Sequence, residues 1–83
     1  MTTQKEVLSI LDEVLSLKGR SSGFSDSTPL LGAMPELDSM AVVSILTTLE
    51  DRFGFLVFYD EIEGATFATV GSLVDFVERK LGE

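Results

Sequence analysis

Apolar residues recur at helical spacing in three stretches of this chain. The first is Val7, Leu8, Ile10, Leu11, Val14 and Leu15, steps of three and four residues that place one apolar stripe on a helix. Thr3 and Glu6 have the spacing of a capping box just ahead of it. Gly19 offers a left-handed stop after Leu17 and Lys18. These signals predict helix one over about residues 3–17. In the second stretch Asp38 suits an N-cap, and at about 100° per residue Val42, Ile45, Leu46, Leu49 and Phe53 share the inward face. Helix two is expected over about 38–53, closed by Gly54. Met40 falls well off its core face, Val43 at the edge, and Ser44, Thr47 and Asp51 on the side of Met40. In the third stretch Thr69 caps a helix over about 69–81, with Val70, Leu73, Val74, Phe76, Val77 and Leu81 as its stripe and Gly82 at its end.

The segments between are irregular. Residues 18–37 contain Gly19, Ser21, Ser22, Gly23, Ser25, Ser27, Pro29, Gly32 and Pro35, which interrupt any regular period. Phe24, Leu30 and Leu31 are the apolar anchors that would let so long a loop lie across the bundle. Phe55–Tyr59 has strand-like composition, but one strand without a partner forms no sheet, so it reads as an extended, partly buried connector. A short helical turn follows, at about residues 59–64. No internal repeat occurs. The expected fold is all-α: a single domain over residues 1–83, three main helices plus one short one, packed as a small bundle.

Composition narrows the chemistry. With 83 residues, 45% of them hydrophobic, the chain has material for one core. It has no cysteine and no histidine, which removes disulfides, thiolate metal sites and the usual nucleophile–base pairs. A formal net charge of −8 argues against nucleic acid and anionic membrane surfaces. Six of those eight excess charges fall in residues 36–63, where Glu36, Asp38, Glu50, Asp51, Asp60, Glu61 and Glu63 face only Arg52. Such a surface either steers basic partners or serves solubility. The acidic run from Asp60 fails as a calcium loop: its sixth residue is Ala65 and its twelfth Gly71, where an EF-hand needs glycine and glutamate. Met-Thr-Thr-Gln-Lys-Glu has no basic segment leading into an apolar one, and no apolar run approaches the roughly 20 residues of a membrane span. A soluble cytoplasmic monomer without membrane insertion is expected.

Ser39 is the residue to weigh. It follows a long loop at a predicted helix start, so its hydroxyl should be exposed, and a helix N-terminus tolerates an attached phosphate. Asp38-Ser39 also reads as nothing more than a capping pair, both residue types favouring helix starts. Catalytic serine chemistry lacks a base.

The segment Thr28-Pro-Leu-Leu-Gly-Ala-Met-Pro-Glu-Leu-Asp-Ser-Met-Ala-Val-Val-Ser-Ile-Leu-Thr-Thr-Leu-Glu-Asp-Arg-Phe-Gly54 resembles the acyl carrier protein family. That family has an apolar-Gly stretch, Asp-Ser-Leu, then an amphipathic helix ending in acidic residues and Phe. Thr66-Phe-Ala-Thr-Val-Gly-Ser-Leu-Val-Asp-Phe-Val77 resembles its last helix, and the likeness extends over about residues 3–81. The resemblance implies that Ser39 carries 4′-phosphopantetheine, transferred from coenzyme A by a phosphopantetheinyl transferase, and that Asp38 helps place metal and phosphate in the transferase complex. The arm would end in a thiol holding acyl or aminoacyl groups as thioesters, supplying the sulfur the chain lacks. Met40 and Val43 would be apolar contacts for partners on helix two, and Glu50 and Asp51 acidic ones. Those partners would be an acyl-loading ligase or acyltransferase and a downstream synthase with basic patches, in lipid or polyketide biosynthesis. The protein itself would not be an enzyme.

The chain also departs from the family. Met40 stands where Leu is usual, Ser44 at a position often acidic in fatty-acid carriers, and Ala41–Leu49 carries no charge. This points to a specialised pathway, and Leu31–Val43 is similar to stand-alone carriers of exopolysaccharide and exosortase systems. Val42, Leu46, Phe58, Ile62 and Phe67 would line an internal cargo cavity if Phe58 and Phe67 point inward. The alternative function is an unmodified helical adaptor that binds a partner through helix two.

Overall fold

The first helix, α1 (Thr3–Leu15), buries Val7, Ile10, Leu11 and Leu15 in a core shared with the two later helices. The structure is a computed structural model describing residues 3–30, 37–62 and 64–82. Thr3 lies inside α1, as a helical residue and not as the cap that its spacing from Glu6 suggests. The helix also stops two residues earlier than its apolar pattern suggests. Ser16 turns left-handed (φ 54°) and the Leu17 N–H donates back to the Asp12 carbonyl at 3.0 Å, closing the last turn. Gly19 is left-handed as expected (φ 89°), but beyond the helix.

Asp12 explains the early stop. Its carboxylate accepts the Gly19 N–H at 3.0 Å, the Ser21 N–H at 3.3 Å and the Ser21 hydroxyl at 2.8 Å. These bonds draw the chain back over the end of α1 and hold the 3-10 turn Arg20–Gly23. The Ser21 hydroxyl first, then the Gly19 N–H, keep the Asp12 carboxyl below its ordinary value.

The rest of this first connection is pinned to the far side of the bundle. Phe24 is half-buried and Leu30 fully buried; Leu31 lies outside the described residues. The Leu30 N–H donates to the Ala68 carbonyl at 2.9 Å, and the Val70 and Gly71 N–H groups donate to the Thr28 and Asp26 carbonyls at 3.0 and 2.8 Å. A Cβ at Gly71 would sit 2.9 Å from the Asp26 carbonyl oxygen, so close an approach of two backbones admits only glycine.

The second helix, α2 (Ser39–Phe53), starts and stops where expected, with Asp38 as N-cap and left-handed Gly54 (φ 78°) closing it. Ile45, Leu46 and Leu49 are buried, and Val42 and Phe53 half-buried against the core. Arg52 reaches Glu6 at 3.4 Å and Glu13 at 3.0 Å on α1. The third helix, α3 (Val70–Leu81), carries a full capping box between Thr69 and Ser72. Its stripe is buried from Val70 to Val77, but Leu81 is 46% exposed, because the helix runs past the edge of the core. Helix α1 packs on both α2 and α3.

Between α2 and α3, residues 55–58 follow the left-handed Gly54 without helix or strand and are partly buried. Two 3-10 turns follow, Tyr59–Glu61 and Gly64–Phe67, in place of the single short helix expected over 59–64. The second buries Thr66 and Phe67 against the bundle, and Glu63 lies outside the described residues. The architecture is all-α: three main helices and no strand among the described residues, with one isolated antiparallel bridge between Pro29 and Thr69.

Candidate functional site

The start of α2 is anchored from behind and open in front. Leu37 is buried, and Asp38, Ser39 and Met40 are all exposed. The Asp38 carboxylate accepts the Ala41 N–H at 2.8 Å, and its carbonyl accepts the Val42 N–H at 2.9 Å. The N–H groups of Ser39 and Met40 find no acceptor among the described residues, as the geometry of a first helical turn dictates. The Ser39 hydroxyl therefore stands in solvent at the positive end of a 15-residue helix. A phosphodiester fits there, with no described side chain bonded to the hydroxyl and, among the described residues, unpaired donors beside it.

Among the described residues no side chain hydrogen-bonds the Ser39 hydroxyl, and no cluster of acidic residues suited to a metal ion occurs. The site offers an accessible hydroxyl.

The structure places the remaining candidates along the same helix. Met40 is 74% exposed and Val43 40%, so both apolar side chains face solvent within about one turn of Ser39. Asp51 is exposed near the far end, roughly 18 Å along the axis from Ser39 at 1.5 Å per residue. Glu50 behaves differently: half-buried, it accepts the Val57 N–H at 2.7 Å. It thus fastens the connector to α2, so that its carboxylate is committed within the chain. Arg52 is drawn to Glu6 and Glu13 on α1, and Asp51 forms no ion pair among the described residues.

The connector supplies what sequence reasoning missed. Its side chains alternate: Phe55 and Val57 are half-buried, Leu56 is 69% exposed and Phe58 62%. Phe58 therefore does not meet the condition of pointing inward that a place in the cavity lining would require. The Glu50–Val57 bond sets which side chains face the bundle, and with a period of two Phe58 must then share the outward side with Leu56. Strand-like alternation over 55–58 was the available signal. Phe67 is buried, Leu46 buried, and Val42 and Ile62 half-buried. A cleft of about 190 Å³ opens between α2 and the connector, lined by Val43, Leu46, Thr47, Glu50 and Val57.

Glu61 secures the end of the connector. It accepts the Phe58 N–H at 2.9 Å and pairs with Lys80 of α3 at 2.8 Å. The Lys80 ammonium first, then the Phe58 N–H, hold its carboxyl below the ordinary 4.5.

No protein-family model and no curated protein matches this chain. Among solved structures it is similar to the holo acyl carrier protein NE2163 of Nitrosomonas europaea, determined by NMR in solution. The two share 49% of their residues over 100% of both chains, with a TM-score of 0.91.

Proposed function

Because the chain belongs to the acyl carrier protein family, we propose that it holds acyl or aminoacyl groups as thioesters on a 4′-phosphopantetheine arm attached to Ser39. It is a carrier and not an enzyme. The observation that carries the assignment is the exposed Ser39 hydroxyl at the open N-terminus of α2, directly after the Asp38 cap. The bound arm supplies a terminal thiol, which this cysteine-free chain does not have. Ser39 provides the oxygen for the phosphodiester. Asp38 holds the first turn in place and presents a carboxylate beside the phosphate, where the transferase and its metal ion would meet it.

Met40 and Val43 form the apolar contact for partner enzymes, and Asp51 adds an acidic contact at the far end of the helix. Glu50 acts through the connector as a positioning residue. The partners are a phosphopantetheinyl transferase, an acyl-loading ligase or acyltransferase, and a synthase with basic patches. The uncharged stretch Ala41–Leu49, with Ser44 exposed on it, supports a dedicated pathway over general fatty-acid synthesis. No helix among the described residues is long and apolar enough to cross a membrane, in keeping with work in the cytoplasm.

Incubation with coenzyme A and a broad-specificity phosphopantetheinyl transferase, read by intact mass, tests the proposal. One added phosphopantetheine is expected on the wild type and none on Ser39→Ala. A gain that survives Ser39→Ala would move the site elsewhere. No gain on the wild type with several transferases would leave the unmodified adaptor as the better reading.

A further inference from the structure

The turn that ends α1 carries more left-handed backbone than any other described segment. Ser16 and Lys18 have φ values of 54° and 55°, and Gly19 has 89°. Only glycine adopts that conformation without steric cost, because a Cβ is driven toward the following carbonyl. Ser16 and Lys18 therefore hold a strained path, and the surrounding structure must keep them in it.

Apolar burial contributes little to that restraint. Between Ser16 and Gly23 only Leu17 joins the core; Ser21 is buried but polar, and the other residues are exposed. The Arg20 and Ser22 N–H groups donate to the Leu17 and Gly19 carbonyls at 3.1 and 3.2 Å, bonds that stay within the turn. Asp12 ties the turn back to α1. Its carbonyl accepts the Leu17 N–H at 3.0 Å, and its carboxylate gathers the Gly19 N–H, the Ser21 N–H and the Ser21 hydroxyl. An acid in the last turn of a helix faces the negative end of the dipole and disfavours that helix. Asp12 stands in the last turn of α1, so its charge serves the turn and not the helix. Arg20, on the turn, adds a favourable charge to it.

We propose that residues 16–23 form a spring-loaded strap latched by the Asp12 carboxylate. When the latch lets go, the strap opens as one unit and carries Leu17 out of the core, while the three helices stay packed. The far end of the same connection stays in place, held by the buried Leu30 and by its backbone bonds to α3. The device goes beyond the carrier reading and does not rest on it. It involves neither Ser39 nor the exposed face of α2, so its test decides nothing about attachment.

Amide hydrogen exchange near neutral pH, read by NMR on the full chain, tests the strap. In the wild type the Leu17, Gly19, Arg20 and Ser21 amides should share one protection, well below that of Leu49 and Val77 in the core helices. Asp12→Asn keeps the shape but gives up the charge and an acceptor. It should speed all four amides about 30-fold and leave Leu49 and Val77 unchanged. Ser16→Gly/Lys18→Gly relieves the strain and should slow the four about five-fold against the wild type. Acceleration confined to Gly19 and Ser21, whose N–H groups touch the carboxylate, would overturn the single unit. Equal acceleration of Leu49 and Val77 would mean that the strap does not open apart from the bundle. Unchanged exchange in Asp12→Asn would refute the latch, and exchange no slower in the glycine variant would refute the spring.

Discussion

Helices α2 and α3 begin alike in sequence and end up in opposite circumstances. Each opens on a short polar cap, Asp38 or Thr69, and each has a serine in its first turn, Ser39 or Ser72. At α3 every donor is occupied. The Val70 and Gly71 N–H groups bond to Thr28 and Asp26, the Ser72 N–H to the Thr69 hydroxyl, and the Ser72 hydroxyl to the Thr66 and Thr69 carbonyls. At α2 only the cap bonds form among the described residues, and Ser39 is exposed with its own N–H and that of Met40 unpaired among them. A serine at a helix start is accessible where the fold leaves that start open, as the proposed attachment at Ser39 requires, and part of the frame where another segment closes it.

The contrast is broken most severely by removing what holds the first connection on α3. Leu30→Ala deletes a fully buried side chain and should lower stability by about 3 kcal/mol in urea unfolding. Modification of Ser39 should persist wherever the variant is folded. A loss below about 1 kcal/mol would mean that Leu30 does not anchor the loop. Next in size is Gly71→Ala, whose methyl would meet the Asp26 carbonyl and cost about 2 kcal/mol as the backbones are forced apart. An unchanged melting temperature would refute that close approach.

The two caps give the sharper test. Thr69→Ala and Asp38→Ala should each lose about 1 kcal/mol, yet only Asp38→Ala should slow phosphopantetheine transfer. Asp38→Asn keeps a capping oxygen and should stay within about 0.5 kcal/mol of wild type while still modifying more slowly. Equal rates for Asp38→Asn and wild type would reduce Asp38 to a cap.

The smallest effect concerns acid. The Glu61 carboxyl is held below its ordinary 4.5 by Lys80 and the Phe58 N–H. Its stabilising effect is therefore fully present above pH 4.5 and lost as pH falls through the lower folded value. Glu61→Gln should flatten that acid-side decline in melting temperature. A decline as steep as that of the wild type would assign the acid sensitivity to other groups, Asp12 foremost.

What could be read from the chain was what depends on near neighbours. Asp38 and Gly54 bound α2 because a cap and a left-handed stop act within four residues, and the stripe of α3 follows from a period of 3.6. Ser39 itself was readable in two ways until its surroundings were known. The misses are long-range. The early end of α1 needs Asp12 to reach Gly19 and Ser21, and Ser16 to turn left-handed without being glycine. Phe58 faces outward because Glu50, eight residues earlier, fastens Val57. The second 3-10 turn forms where Thr66 and Phe67 meet the bundle, and nothing in Gly64–Phe67 announces it. Leu81 keeps the helical period but lies beyond the core that would have covered it.

The burial of Leu37 two residues ahead of Ser39 has a consequence for delivery. With the arm attached at Ser39 as proposed, its root is a fixed pivot on a rigid rod, and Asp51 lies near the rod's other end. Helix α2, about 22 Å long at 1.5 Å per residue, is then a ruler. A partner gripping the far end meets the tethered group at high effective concentration only if its own opening lies one helix length away, so that distance selects partners as surely as charge does.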